Sequence, residues 1–118
     1  MLPRDMERVL HVTTPETWER ARAAGCLPRG TEPAAAGDDA FLHCCFEDQL
    51  AGVLERFYAE APGPLLVLEV EAEGLDVRIE AASDGAGDFP HLHADLPVER
   101  VVDLRTLERH DGRWVRRP

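Results

Sequence analysis

The sequence predicts an α+β domain: two early helices packed on mostly antiparallel sheet. Three observations carry this. The elements run β-α-β-α and then strands only, helical spacing of apolar residues is confined to the first half, and a hairpin signal closes the chain. At 118 residues there is room for one domain, 1–118, able to bury about two-thirds of its unfolded surface without a disulfide or metal staple. The phosphate-cradling patterns GxGxxG and GxxxxGK[ST] are both absent.

Arg8 to Thr13 is β-rich and alternating, with Leu10 and Val12 on one face and His11 and Thr13 on the other. Thr14 is a good N-cap, Pro15 suits the first helical position and Glu16 the positive helix end. The helix should run through Trp18, Ala21 and Ala24 and stop at Gly25. Residues 26–39 read as a loop, long enough to suggest a lid or binding loop. Ala40–Cys45 is a short second strand, and Phe46, Leu50, Val53, Leu54 and Phe57 mark a second helix ended by Pro62-Gly63-Pro64. Leu65–Val70 is nearly unbroken apolar sequence, a central strand covered on both faces. Leu75–Glu80 alternates, with Val77 and Ile79 inward and Arg78 and Glu80 opposite. Residues 81–88 are a turn-rich loop, Phe89–His93 an extended piece and Val98–Leu104 a further strand. Asp111-Gly112, between Leu107 and Val115, marks a hairpin.

The formal charge is −10, and all thirteen cations are arginine. From Gly30 to Asp95, fifteen Asp and Glu face only Arg56 and Arg78, a net of −13. Such a surface repels phosphate backbones, so no long nucleic acid is expected as partner. No apolar run has the length of a membrane span. Three cysteines, Cys26 and the adjacent Cys44 and Cys45, make no disulfide framework; a cytoplasmic setting fits them.

Histidine carries the candidate chemistry. His11, His43, His91 and His93 fall in or beside strands, while His110 sits at the hairpin turn. His91-Leu92-His93 puts two imidazoles on one strand face, and His11, His43 or Glu80 would complete a ligand set. The close paired spacing of a structural zinc site is missing, however, and no resident metal is expected. Cys44 and Cys45 read as small buried hydrophobes rather than nucleophiles. Arg78 and Glu80 share a strand face, as a surface ion pair or as a carboxylate poised beside polar His and Thr.

The string Leu10-His11-Val12-Thr13-Thr14, Trp18, Phe41-Leu42-His43-Cys44, Gln49, Val77-Arg78-Ile79-Glu80 and Phe89-Pro90-His91-Leu92 resembles the bacterial domain of unknown function 952, over about residues 8–104. Residues 105–118 then form a C-terminal hairpin extension. The family is similar to the ADP-ribosyltransferase fold, whose paired sheets enclose a cleft that holds NAD in transferases. The resemblance implies that His11 and Thr13 hold a ribose hydroxyl, that Glu80 stabilises an oxocarbenium-like transition state, and that Arg78 contacts phosphate. His43 would act beside Glu80, with His91 and His93 lining the pocket. NAD is then the implied substrate rather than a resident cofactor, and the implied partner a nucleotide-like small molecule. The chain departs from the family pattern at Cys45 (usually Ser), Ile79 (an aromatic) and His93 (Tyr). The alternatives are a non-NAD hydrolase, lyase or isomerase using the histidine cluster, such as one of a biosynthetic pathway, and a non-catalytic binding domain.

Overall fold

A computed structural model describes residues 7–29, 41–82, 85 and 87–117. β1 (Arg8–Thr13) leads into α1 (Pro15–Ala24), as expected from the cap signals. The Thr14 hydroxyl accepts from the Thr17 amide at 3.2 Å, satisfying one free donor of the first turn. Gly25 ends the helix at φ 91°, a left-handed conformation that costs glycine little, and donates to the Ala21 carbonyl at 2.8 Å.

The sheets are split. β1, β4 (Leu65–Glu71), β8 (Val101–His110) and β9 (Arg113–Arg116) form a four-stranded antiparallel sheet in the order β1-β4-β8-β9. β3 (Leu42–His43), β6 (Asp88–Leu92) and β5 (Val77–Ala81) form a three-stranded antiparallel sheet in the order β3-β6-β5. β2 (Cys26–Leu27) pairs with β7 (Leu96–Pro97). The two larger sheets are stitched where Leu10 and Cys45 exchange backbone hydrogen bonds, both at 2.8 Å.

β4 is covered on both faces because its side chains alternate between two cores. Leu66, Leu68 and Val70 pack with Val9 and with Trp18 and Ala21 of α1; Leu65 and Val67 pack with Leu10, Val12, Cys45 and Leu54. Leu54 belongs to α2 (Leu50–Phe57), which follows a 3₁₀ turn at Glu47–Gln49. The Gln49 carboxamide holds that turn, accepting from the Phe46 amide at 2.9 Å and donating to the Asp88 carbonyl at 2.8 Å.

Several expectations change. Residues 26 and 27 form a strand rather than loop, because Leu27 is fully buried against Leu96 of β7; Ala40 and the proposed lid at 30–39 lie outside the described residues. Ile79 points outward, at 46 % exposure, instead of inward. β5 is the edge of its sheet: Val77 packs against the core as expected, whereas Ile79, further along the edge, faces solvent and Glu80 is half-buried. Val98–Arg100 is a 3₁₀ turn, and the strand expected there runs from Val101 to His110. β8 thus crosses position 104, and its second half pairs with β4, Leu107 opposite Leu65. The hairpin forms at Asp111 and Gly112, whose φ values of 53° and 78° suit a tight two-residue turn.

Arg105 of β8 bridges Glu47 and Glu69, the latter at 3.2 Å, and its side chain is mostly buried. The hydrogen bond from Arg105 holds the Glu47 carboxyl below the usual range. A depressed folded pKa contributes stability above the unfolded value, about 4.3, and loses it as pH falls through the lower folded value. Glu47→Gln should therefore melt below the parent at pH 7, by less than about 1 kcal/mol because Glu47 is largely exposed, and converge with it once the pH has fallen through the lowered folded value. Melting curves across pH check this; a gap that persists in acid would assign the loss to something other than the charge.

Candidate functional site

A cleft of about 430 Å³ opens between α2, β1 and the three-stranded sheet. Leu10 and Val12 floor it, Val53, Phe57 and Tyr58 come from α2 and its end, and Phe41, His43, Glu80, Phe89 and His91 line the opposite wall. That wall follows from strand register. His43 lies opposite His91 and Arg78 opposite His91, so these residues share one face with Glu80 and Phe89.

Glu80 is the polar centre. Its Oε1 lies 2.8 Å from His91 Nδ1 and 2.7 Å from His93 Nε2. Hydrogen bonds from His93 and then His91 hold the Glu80 carboxyl below its ordinary value. The His91 ring is buried and stacks on Phe41, with centroids 4.0 Å apart and planes at 17°. His43 meets both rings edge-on, 4.8 Å from Phe41 and 5.4 Å from His91. Burial, then the neighbouring His91, lowers the His43 pKa, so this half-buried imidazole favours its neutral, proton-accepting form. Chemically, the arrangement is an imidazole oriented by a carboxylate, with a second imidazole beside it on an apolar wall.

Three of the residues expected at a site (His43, Glu80 and His91) line the cleft, and His93 joins them through Glu80. The other three do not. His11 and Thr13 are buried, at 1 % and 3 % exposure, on the face of β1 turned away from Leu10 and Val12, and neither belongs to the cleft wall. His11 Nδ1 instead lies 2.6 Å from the His43 carbonyl oxygen, tying β1 to β3. Alternation decides this: one face of β1 floors the cleft, and it is the apolar one. Arg78 shares the sheet face of Glu80 but is exposed and donates to Asp76 at 2.9 and 3.1 Å, and it is not among the residues lining the cleft. Sequence reasoning assigned no role to Phe41, Tyr58 or Phe89. For Phe41 a signal existed, since it stands two residues before His43 and so on the same strand face.

Cys44 and Cys45 contribute bulk to the wall. Burial pushes the Cys45 thiol up to about 12 and Cys44 higher still, leaving no thiolate near neutral pH. All three cysteines are free, and only Cys26 is partly exposed. Iodoacetamide should label the native protein once, at Cys26, and three times after unfolding. Mass spectrometry reads this directly; native labelling at Cys45 would mean that the cleft wall opens.

Glu80, His91 and His93 also present one donor atom each within 4.8 Å of one another, the kind of set that holds a metal ion, despite the missing zinc-type spacing.

Residues 12–104 match the family described as "Protein of unknown function (DUF952)". The chain belongs to this family. It is also similar to a Caulobacter crescentus protein, CC0527, whose crystal structure shares 27% identity at a TM-score of 0.73, covering 92% of this chain and 93% of that one. A double mutant of CC0527 gives the same values. The solution NMR structure of CC0527 matches at 26% identity and the same TM-score, over 92% and 91%. No curated protein matches. Among the described residues, no helix is long and apolar enough to cross a membrane.

Proposed function

We propose that this DUF952 chain is a small-molecule enzyme, a hydrolase, lyase or isomerase, that works by proton transfer at His43 and His91 with Glu80 orienting His91. The observation that carries the reading is the 2.8 Å contact between Glu80 Oε1 and His91 Nδ1 at the wall of an otherwise apolar cleft. A carboxylate at Nδ1 fixes the ring and stabilises the imidazolium formed when Nε2 takes a proton, the pairing on which acid–base catalysis commonly rests. Phe41 stacking keeps the ring from turning.

The cleft also indicates the ligand. Glu80 is the one lining residue with a formal charge among the described residues, and aromatic or aliphatic side chains form most of the rest. A phosphate would meet a carboxylate and no cation there. An uncharged or cationic molecule with a flat apolar part fits better. The ADP-ribosyltransferase-like reading asks for His11 and Thr13 on a ribose and Arg78 on a phosphate; all three lie off the cleft. A cytoplasmic setting without long nucleic acid as partner belongs to the same proposal, supported by the free thiols and the charge of −10.

Scanning fluorimetry against neutral heteroaromatics, amines, NAD, ADP-ribose and sugar phosphates tests the reading. Stabilisation is expected from the first two classes, with NMR shifts at Phe41, His43 and His91. Stabilisation by NAD with release of nicotinamide would overturn it in favour of ribosyl chemistry.

A further inference from the structure

We infer that Glu80, His91 and His93 form a divalent-cation site, of the zinc or cobalt class, at the edge of the cleft. The three side chains converge for structural reasons. His91 and His93 are two apart, so their side chains leave the same face of the β6 segment. The His93 amide donates to the Asp76 carbonyl at 2.8 Å, extending the pairing beyond β6. Glu80 reaches them from the adjacent strand β5.

What results is two imidazole nitrogens aimed at one carboxylate oxygen, at 2.8 and 2.7 Å, with all three donor atoms within 4.8 Å. Imidazole nitrogen and carboxylate oxygen are the donors that zinc and related ions take, at about 2.0–2.2 Å. Around a tetrahedral ion with such bonds, donor atoms stand about 3.4 Å apart. The two short edges must therefore open by about 0.6 Å, a rotation of side chains rather than a change of backbone. The cation replaces the hydrogens that now hold the imidazoles to Glu80, and each neutral ring keeps its proton on its other nitrogen, Nε2 of His91 and Nδ1 of His93. Two neutral imidazoles and one carboxylate leave a divalent ion with a net charge of +1 and open coordination positions, the donor set of reactive rather than structural sites. The Glu80 side chain is 38% exposed, which gives the ion a path in. Glu80 and His91 both belong to the cleft wall, so a water on the ion would lie at the cleft's edge.

Titration of the chelator-treated protein with Co²⁺, followed by visible absorption and calorimetry, tests the site. One ion per chain is expected, with line broadening of the His91 and His93 imidazole signals. His93→Ala should weaken binding at least tenfold. Glu80→Gln, a near-isosteric change at a half-exposed position, serves as the second variant should His93→Ala unfold, and should weaken binding comparably. No saturable binding up to 1 mM Co²⁺, or binding that both folded variants retain, would overturn the inference. An ion on His91 Nδ1 leaves the ring proton on Nε2, so the proton transfer proposed for His91 belongs to the metal-free form. The outcomes are separable: a protein that binds no metal yet turns over a substrate sinks this site alone. One that binds Co²⁺ but no small molecule keeps the site and sinks the enzyme.

Discussion

Truncating Leu68 to alanine is expected to lower the unfolding free energy by about 3 kcal/mol, within the 2–5 kcal/mol typical of buried Leu→Ala changes. Leu68 is fully buried at the centre of β4, the inner strand that joins β1 to β8, and it packs in the core shared with Trp18 and Ala21. Its loss removes apolar area from the core and leaves a cavity that a strand paired on both sides cannot collapse to fill. Leu104 supplies the control. It sits directly across from Leu68 on β8 but is 41% exposed, so Leu104→Ala should cost less than about 1 kcal/mol. Urea denaturation with an unchanged slope reads both values. Equal losses at the two positions would mean that the sheet face over β8 is covered in solution.

The second large effect falls on the cleft. Once the ligand screen yields a substrate, His91→Ala should reduce kcat/KM by about 10²-fold or more, the usual worth of a positioned acid–base group. Glu80→Gln preserves shape but removes the charge that stabilises the protonated ring, so a loss of kcat at nearly constant KM is expected. Arg78→Ala should leave kinetics unchanged, because its guanidinium is engaged with Asp76 and does not line the cleft. His11→Asn separates the two candidate sites most sharply. It should lower the melting temperature, since His11 is buried against the His43 carbonyl, and affect turnover only through that loss. Turnover that falls with His11 and Arg78 but survives His91→Ala would restore the ribosyl reading.

Local signals were legible wherever local physics decides. Thr14, Pro15 and Gly25 bound the first helix because capping and the left-handed turn depend on adjacent residues alone. The apolar run Leu65–Val70 announced a strand covered on both sides, and Asp111-Gly112 a hairpin. Leu27 shows the limit. Two residues beside Pro28 carry no period of their own and become a strand only because Leu96 arrives from far along the chain.

From its own residues, the chain determined the antiparallel α+β plan, the main strands and helices, and a set of histidines and one glutamate worth examining. Tertiary structure alone decided which of them meet. Alternation says that His11 and Leu10 point opposite ways, but not which side becomes core and which becomes cleft. That choice belongs to α1 and α2, which cover the two faces of the β1–β4 pair and bury His11 while leaving His91 at the wall. The joining of Glu80 to both His91 and His93 likewise rests on the β5–β6 register, a long-range pairing that no single segment encodes.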